Sequence, residues 1–427
     1  YYSNDTCAIA GNNEDFITPY SQMIFYPSED GKYGCVFFGF TKRDKINFGE
    51  EQGGMNDQGL FYDGLATPMN PVLNSKNKPT FYGNLMKMVL EKCATVEHAL
   101  EMLDKYNLGI LMTGQIMIGD ASGNAAIIEG DVIIRKEREC QICTNFYQSQ
   151  VKDQNYPCNR YITAKSMLDS AKSINVEFMS KILNATHNEG EGSTLYSNVY
   201  DLKRKIIYVY HFHDFDNVIK IDLVEELKKG KHAYQLSDIF PKNPKYLAYK
   251  EEQLKKFKGL ELDRAKLLKK FQTELFETGK TDSISVSANN ILNGYFKSIG
   301  GRALVDEIKS LTITGKIAVP LGGPLQLSGL FKSYQSYESK MYQYIEIKGF
   351  DINEKGVNGI TCWKKGSHID SRFLDGDEKY SLLLELSFDT NKPELYSKIK
   401  YLGIMDIQGT PCYKLLLTTK EGFSVAK

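Results

Sequence analysis

Apolar positions recur along this chain with two periods, and the switches between them mark out its elements. Two short runs rich in aromatic and β-branched residues, Met23-Ile24-Phe25-Tyr26 and Cys35-Val36-Phe37-Phe38, flank a polar stretch from Pro27 to Gly34. That pattern predicts a β-hairpin. Over 84–106 the period lengthens. Leu85, Met88 and Val89, then Ala99, Leu100 and Leu103, share a face, with a break at Ala94-Thr95 where a cap fits, so two helices are expected. Short strands follow over 115–118, 125–129 and 132–135, separated by the turn sequences Asp120-Ala121-Ser122-Gly123 and Gly130-Asp131. Helical spacing returns over 160–168 and 176–185, then strands over 194–200 and 205–212. Two layers of antiparallel strands with helices outside use these elements well, which makes the class α+β.

The character changes over 245–280, where Lys250, Lys255, Lys256, Lys258, Lys266, Lys269 and Lys270 are set among Leu254, Leu260, Leu267 and Leu268. This reads as an amphipathic helix or helix pair with a solvated face. Ser287 then caps a helix through Ile291, Leu292, Tyr295 and Phe296, which Gly300-Gly301 stops. Alternating strand follows over 311–317, 341–348, 359–363, 381–388 and 413–418. The expected domains are therefore residues 1–240, a lysine-rich helical linker over 241–284, and an antiparallel β domain over 285–427. A length of 427 residues suits such a division.

Composition narrows the function classes. The 53 basic and 53 acidic residues cancel, and no basic stripe interleaved with aromatics is present, so a nucleic-acid partner is not expected. No apolar stretch approaches the ~18 residues of a membrane-spanning helix. Eight cysteines in 427 residues are too sparse for a disulfide scaffold. Cys140 and Cys143 have the spacing of half a zinc site, but no second pair follows at the right distance. His211 and His213, two apart on an expected strand, fall on one face and would suit a metal, yet no third ligand presents itself in sequence. His98, His187, His232 and His368 read as scattered surface or helix positions. No metal and no cofactor are expected.

Two segments carry the chemistry: Gly11-Asn12-Asn13-Glu14-Asp15-Phe16, and Gly53-Gly54-Met55-Asn56-Asp57-Gln58-Gly59-Leu60. They resemble the Gly-x-Asn-x-Asp and Gly-Met-Asn-x-x-Gly-Leu segments of the choloylglycine hydrolase, penicillin V acylase and acyl-coenzyme A:6-aminopenicillanate acyltransferase group of N-terminal nucleophile hydrolases. The resemblance covers about residues 1–225. It implies a four-layer αββα sandwich and an amidase whose first mature residue, a cysteine, attacks the amide carbonyl. Counting back from Asn12 puts that cysteine a few residues upstream of Tyr1. Tyr1-Tyr2 then finishes the first strand, Ser3-Asn4-Asp5 makes the turn, and 6–10 form the second strand. An N-terminal cysteine supplies its own α-amine as base, with a pKa of about 7.7–8.0. Cys7 has an amide nitrogen and no such base, so it reads as a small strand residue; as the alternative nucleophile it requires cleavage after Thr6.

The resemblance also implies roles. Asp15 orients the α-amine. Asn145, in Cys143-Thr144-Asn145-Phe146, donates to the oxyanion, and a second donor comes from the backbone of 65–67, around Ala66. Asn56 supports the turn of its own segment. Asn12 stands where the bile-salt branch has an arginine, and a neutral amide cannot depress a thiol pKa as a cation does, which points away from bile salts. His213 falls where some members have an arginine directed into the site. Residues 291–315 resemble the opening of periplasmic lipoprotein-carrier-like domains, curved antiparallel half-barrels packed on a helix with an apolar concave face. The expected activity is hydrolysis of the linear C–N bond of a small acyl amide through a thioester. Acyl transfer by the same thioester, or the holding of an acyl or lipid-like ligand without turnover, are the alternatives. A periplasmic, secreted or cell-surface location with a removed signal peptide is expected, and a homo-oligomer is compatible with the sequence.

Overall fold

The computed structural model describes residues 1–41, 51–70, 78–190, 192–256, 287–322, 325–336, 340–347, 351–367, 369–375, 378–379, 382–383, 396–407, 409–419 and 424–426. They fall into two compact units, the first made of Tyr1–Leu254 with two short later segments and the second of the rest.

The first unit runs β1 (Tyr2–Ser3), β2 (Ala8–Asp15), β3 (Tyr20–Tyr26), β4 (Cys35–Thr41), β5 (Glu51–Asn56), β6 (Phe61–Ala66), α1 (Leu85–Lys92), α2 (Val96–Leu103), β7 (Gly114–Gly119), β8 (Ala125–Glu129), β9 (Val132–Arg135), α3 (Asn159–Ser170) and α4 (Val176–Thr186). It continues with β10 (Thr194–Asp201), β11 (Ile206–His211), β12 (Asp214–Asp222), α5 (Leu223–Leu227), β13 (His232–Gln235), α6 (Leu236–Ile239) and α7, described over 244–256. The strands form two antiparallel sheets, in the orders β1-β2-β10-β11-β12 and β13-β3-β4-β5-β6-β7-β8-β9. Helices α1, α2 and α4 begin where side chains offer caps. Asn84, Thr95 and Asn175 accept from the backbone N–H of Lys87, His98 and Phe178, satisfying donors that a first turn leaves free.

Period-two alternation explains how the sheets are covered. Ala8 and Ala10 of β2, Val36 and Phe38 of β4, Tyr196 of β10 and Val209 of β11 meet in one apolar cluster between the sheets. The alternate residues of β4, Cys35 and Phe37, turn the other way onto Val89, Leu90 and Leu100 of α1 and α2. Ile9 and Val199, on the far face of the smaller sheet, pack against Met179, Ile182 and Leu183 of α4. Since β3 and β4 have both faces covered, both read as nearly continuous apolar runs. Two glycines are fixed by close approach. A Cβ on Gly11 would stand 2.9 Å from Met179 Cγ, and one on Gly59, whose φ is +83°, would stand 2.4 Å from the Leu202 carbonyl oxygen.

The structure extends and corrects the sequence expectations. The second strand runs on to Asp15 instead of stopping at Ala10, and the Gly-Gly-Met-Asn segment is itself strand, the end of β5, with β6 following its turn. The strand expected over 205–212 stops at His211, and Phe212-His213 is a two-residue turn into β12. His211 and His213 therefore do not share a strand face. His211 is buried with its ring stacked 5.5 Å from that of Phe240.

In the second unit, α8 (Ala288–Ser298) is capped by Ser287, which accepts from Asn290 N, and is followed by α9 (Arg302–Glu307). Strands β14 (Ser310–Gly322), β15 (Leu325–Ser336), β16 (Lys340–Ile347), β17 (Asp351–Asn358), β18 (Thr361–Gly366) and β19 (Ile369–Phe373) form one sheet in chain order. A second sheet contains β20 (Tyr396–Ile407), β21 (Thr410–Thr419) and β22 (Ser424–Ala426). Leu292 and Phe296 of α8 pack on Tyr396, Leu415 and Leu417 of this sheet. The lysine-rich stretch beyond residue 256, His368 and most of the strand expected over 381–388 lie outside the described residues.

Candidate active site

A cavity of about 290 Å³ opens at the carboxyl end of β2. Its walls begin where β1 stops. Tyr1 exchanges backbone hydrogen bonds with Gln141, as donor at 2.8 Å and as acceptor at 2.9 Å, so this end of the chain lies between β2 and the segment 139–141. Beyond it the cavity lies between residues 11–16 and 141–145. On that edge β2 pairs with no strand past Ile9 among the described residues; its other edge pairs with β10.

Asp15, Asn145 and Ala66, far apart in sequence, meet on one wall. The Arg160 guanidinium joins the first two: Nη1 lies 2.5 Å from Asp15 Oδ2, and Nη2 donates to Asn145 Oδ1 at 2.7 Å. Asn145 Nδ2 in turn donates to the Ala66 carbonyl at 2.9 Å. Asp15 Oδ1 also accepts from the Thr194 hydroxyl. Arg160 lies in the first turn of α3 and has no counterpart in the sequence reading. Its partners are 145 and 15 residues away, so no local pattern could have marked it.

Asn12 points elsewhere. Alternation places Asn12 and Glu14 between the sheets and Asp15 on the opposite face, so Asn12 does not stand beside Asp15. Its Nδ2 lies 3.4 Å from Glu14 Oε2, and its side chain acts to lower the pKa of Asp63 of β6. This carboxylate pair joins two strands and has no local signature in the sequence. Burial, then the charges of Asp63 and Asp15, push Glu14 well above the usual carboxylate range. Burial likewise raises Asp63 to about 8, against the Gly64 N–H and the Asn12 side chain. Both carboxyl groups line the cavity, and two so placed share protons more easily than they bear two charges.

The remaining expected residues lie apart. Asn56 is wholly buried and structural: Nδ2 donates to the Leu90 and Cys93 carbonyls, and Oδ1 accepts from Gln58 N and Leu60 N. Cys7 is not among the residues lining the cavity, and burial raises its thiol pKa. Burial also pushes up Cys140 and Cys143. Cys158, which precedes α3, behaves differently. Burial acts to raise it, but the backbone N–H groups of Tyr161 and Arg160, the Thr144 side chain and the Arg160 charge bring it below the ordinary thiol value. His213 does not line the cavity. It lies against His187, which was read as a scattered position, with ring centroids 4.4 Å apart.

A family model described as acyl-coenzyme A:6-aminopenicillanic acid acyl-transferase matches residues 2–216. No curated protein matches the chain. Among solved structures it is similar to penicillin V acylase from Agrobacterium tumefaciens, at 19% identity and a TM-score of 0.43, over 55% of this chain and 89% of that one. It is also similar to a variant of conjugated bile acid hydrolase from Clostridium perfringens, at 19% identity and a TM-score of 0.42, over 55% and 95% of the two chains.

Proposed function

We propose, from the premise that this chain belongs to the acyl-coenzyme A:6-aminopenicillanic acid acyl-transferase family, that its first unit cleaves the linear C–N bond of an acyl amide through a cysteine thioester. Amide hydrolysis or acyl transfer in general follows from the family. The layering of two sheets between α1-α2 and α3-α4 supports reading this unit as a four-layer αββα sandwich, and the meander from β14 to β19 supports an acyl-accommodating half-barrel role for the second.

One observation carries the reading: the Asp15–Arg160–Asn145–Ala66 chain of contacts lies beside the open edge of β2. The β1–β2 register pairs Tyr2 with Ile9 and Ser3 with Ala8. A strand continued upstream in that register sets the fifth residue before Tyr1 opposite Asp15. We assign the nucleophilic cysteine to that position, with its α-amine held by Asp15. The thiol sulfur attacks the carbonyl carbon while its proton passes to the α-amine. The oxyanion takes the Asn145 Nδ2 donor now used by Ala66, together with a backbone N–H near Ala66. The C–N bond breaks, the leaving amine carries the proton away, and a thioester remains. Water then releases a carboxylic acid, or a second amine takes the acyl group. Arg160 fixes the donor by holding Asn145 Oδ1.

The test uses the complete gene product. Incubation with acyl amides should yield a chain heavier by the acyl group, with the mass located at the cysteine five residues before Tyr1. Changing that cysteine to serine should abolish labelling. Asn145→Ala should lower kcat by ~10²–10³, and Cys158→Ala should leave turnover intact. Labelling that persists in the serine variant and disappears in Cys158→Ala would move the nucleophile to Cys158 and overturn the assignment.

A further inference from the structure

Outside the cavity, two imidazole rings and a carboxylate converge. His187 follows α4, Glu189 lies in the loop leading to β10, and His213 is the second residue of the β11–β12 turn. Their candidate ligand atoms all lie within 4.8 Å of one another.

The ring nitrogens are already sorted. His187 Nδ1 lies 2.5 Å from the Asn184 carbonyl oxygen, which only accepts, so Nδ1 carries a hydrogen and Nε2 is the nitrogen left to face Glu189. The His213 Nε2 is buried with no partner among the described residues. His187 thus uses one nitrogen on the main chain and turns the other toward Glu189, and His213 offers a buried Nε2. His187 Nε2 stands 3.2 Å from Glu189 Oε1, and a carboxylate oxygen has only lone pairs to present. Fixing one imidazole nitrogen on a carbonyl while the other binds is how protein metal sites orient histidine.

The backbone supports the arrangement at a cost. With φ of +45° at Phe212 and +62° at His213, the turn has the type I′ shape that Asn and Gly normally occupy. Bulky residues in this region are costly and persist where their surroundings fix them. Here Asn243 Nδ2 donates to the Phe212 carbonyl at 3.0 Å.

We propose that His187, Glu189 and His213 bind a divalent cation of the zinc class, with two imidazole Nε2 atoms and a carboxylate oxygen as three of its ligands. This donor set suits zinc with a further position left open. The ion braces the loop that Thr194 fastens to Asp15: Thr194 N donates to the Asn188 carbonyl at 2.9 Å, and Asn188 N to Thr194 Oγ1 at 2.8 Å. The site is independent of where the nucleophile lies.

Chelator-treated full-length chain titrated with zinc in a calorimeter, and with cobalt in a spectrophotometer, tests the site. The expected result is one ion per chain, with cobalt d–d bands and no thiolate charge-transfer band. His213→Asn suits the left-handed turn, and Glu189→Gln changes an exposed side chain, so both variants should fold. Each should weaken binding by at least ~10–100-fold. Absence of saturable binding, a thiolate band, or unchanged affinity in both variants would overturn the proposal.

Discussion

Asp63 is the residue whose ionisation costs the fold most plainly. Burial holds its carboxyl near 8, while an unfolded aspartate titrates near 3.9. Between those values the folded chain keeps a proton that the unfolded chain has released, so stability falls as pH rises across the window, by about 1.4 kcal/mol per unit at most. Asp63→Asn removes this contribution, although Glu14, raised for the same reason, continues to titrate. Thermal midpoints followed from acid to mildly alkaline pH should fall less steeply in the variant. Equal slopes in the two chains would show that Asp63 is ionised in the native state.

At the scale of elements, the approach of α4 to β2 is set by Gly11. The nearest atom to an added Cβ belongs to Met179, a flexible side chain, but its Cγ and the Leu183 methyl 3.4 Å away both lie in a packed layer. Overfilling such a layer costs about 1–3 kcal/mol. Gly11→Ala should therefore lower the urea midpoint of the first unit, and because Asp15 shares the strand, it should also weaken turnover. A midpoint unchanged from the parent would show that Met179 swings aside freely. The strand itself was legible only in part. Its Gly-x-Asn-x-Asp end stands out as a motif, and the alternation Ala8, Ala10, Asn12, Glu14 puts Glu14 on the core face. Asn56 was legible in kind, as a turn residue, but its grip on the end of α1 depends on a helix more than thirty residues away.

For the whole molecule, zero net charge supplies no overall field to steer a charged substrate. The kcat/KM for an acyl amide should then change by less than about twofold between low and high ionic strength; a steep fall with salt would point to a charged patch that the overall balance conceals. What the sequence by itself determined about this protein is what local periodicity and spacing encode. These are the hairpin at β3–β4, the paired helices α1 and α2, the Ser287 cap, and the two motif segments at 11–16 and 53–60. Tertiary structure alone decided that Arg160 ties Asp15 to Asn145, that Asp63 faces Glu14, and that His187 rather than His211 partners His213. Those pairs join segments up to 145 residues apart, and their geometry follows from strand register and helix docking. A one-dimensional pattern records which residues share a face of an element, and only packing selects which faces meet.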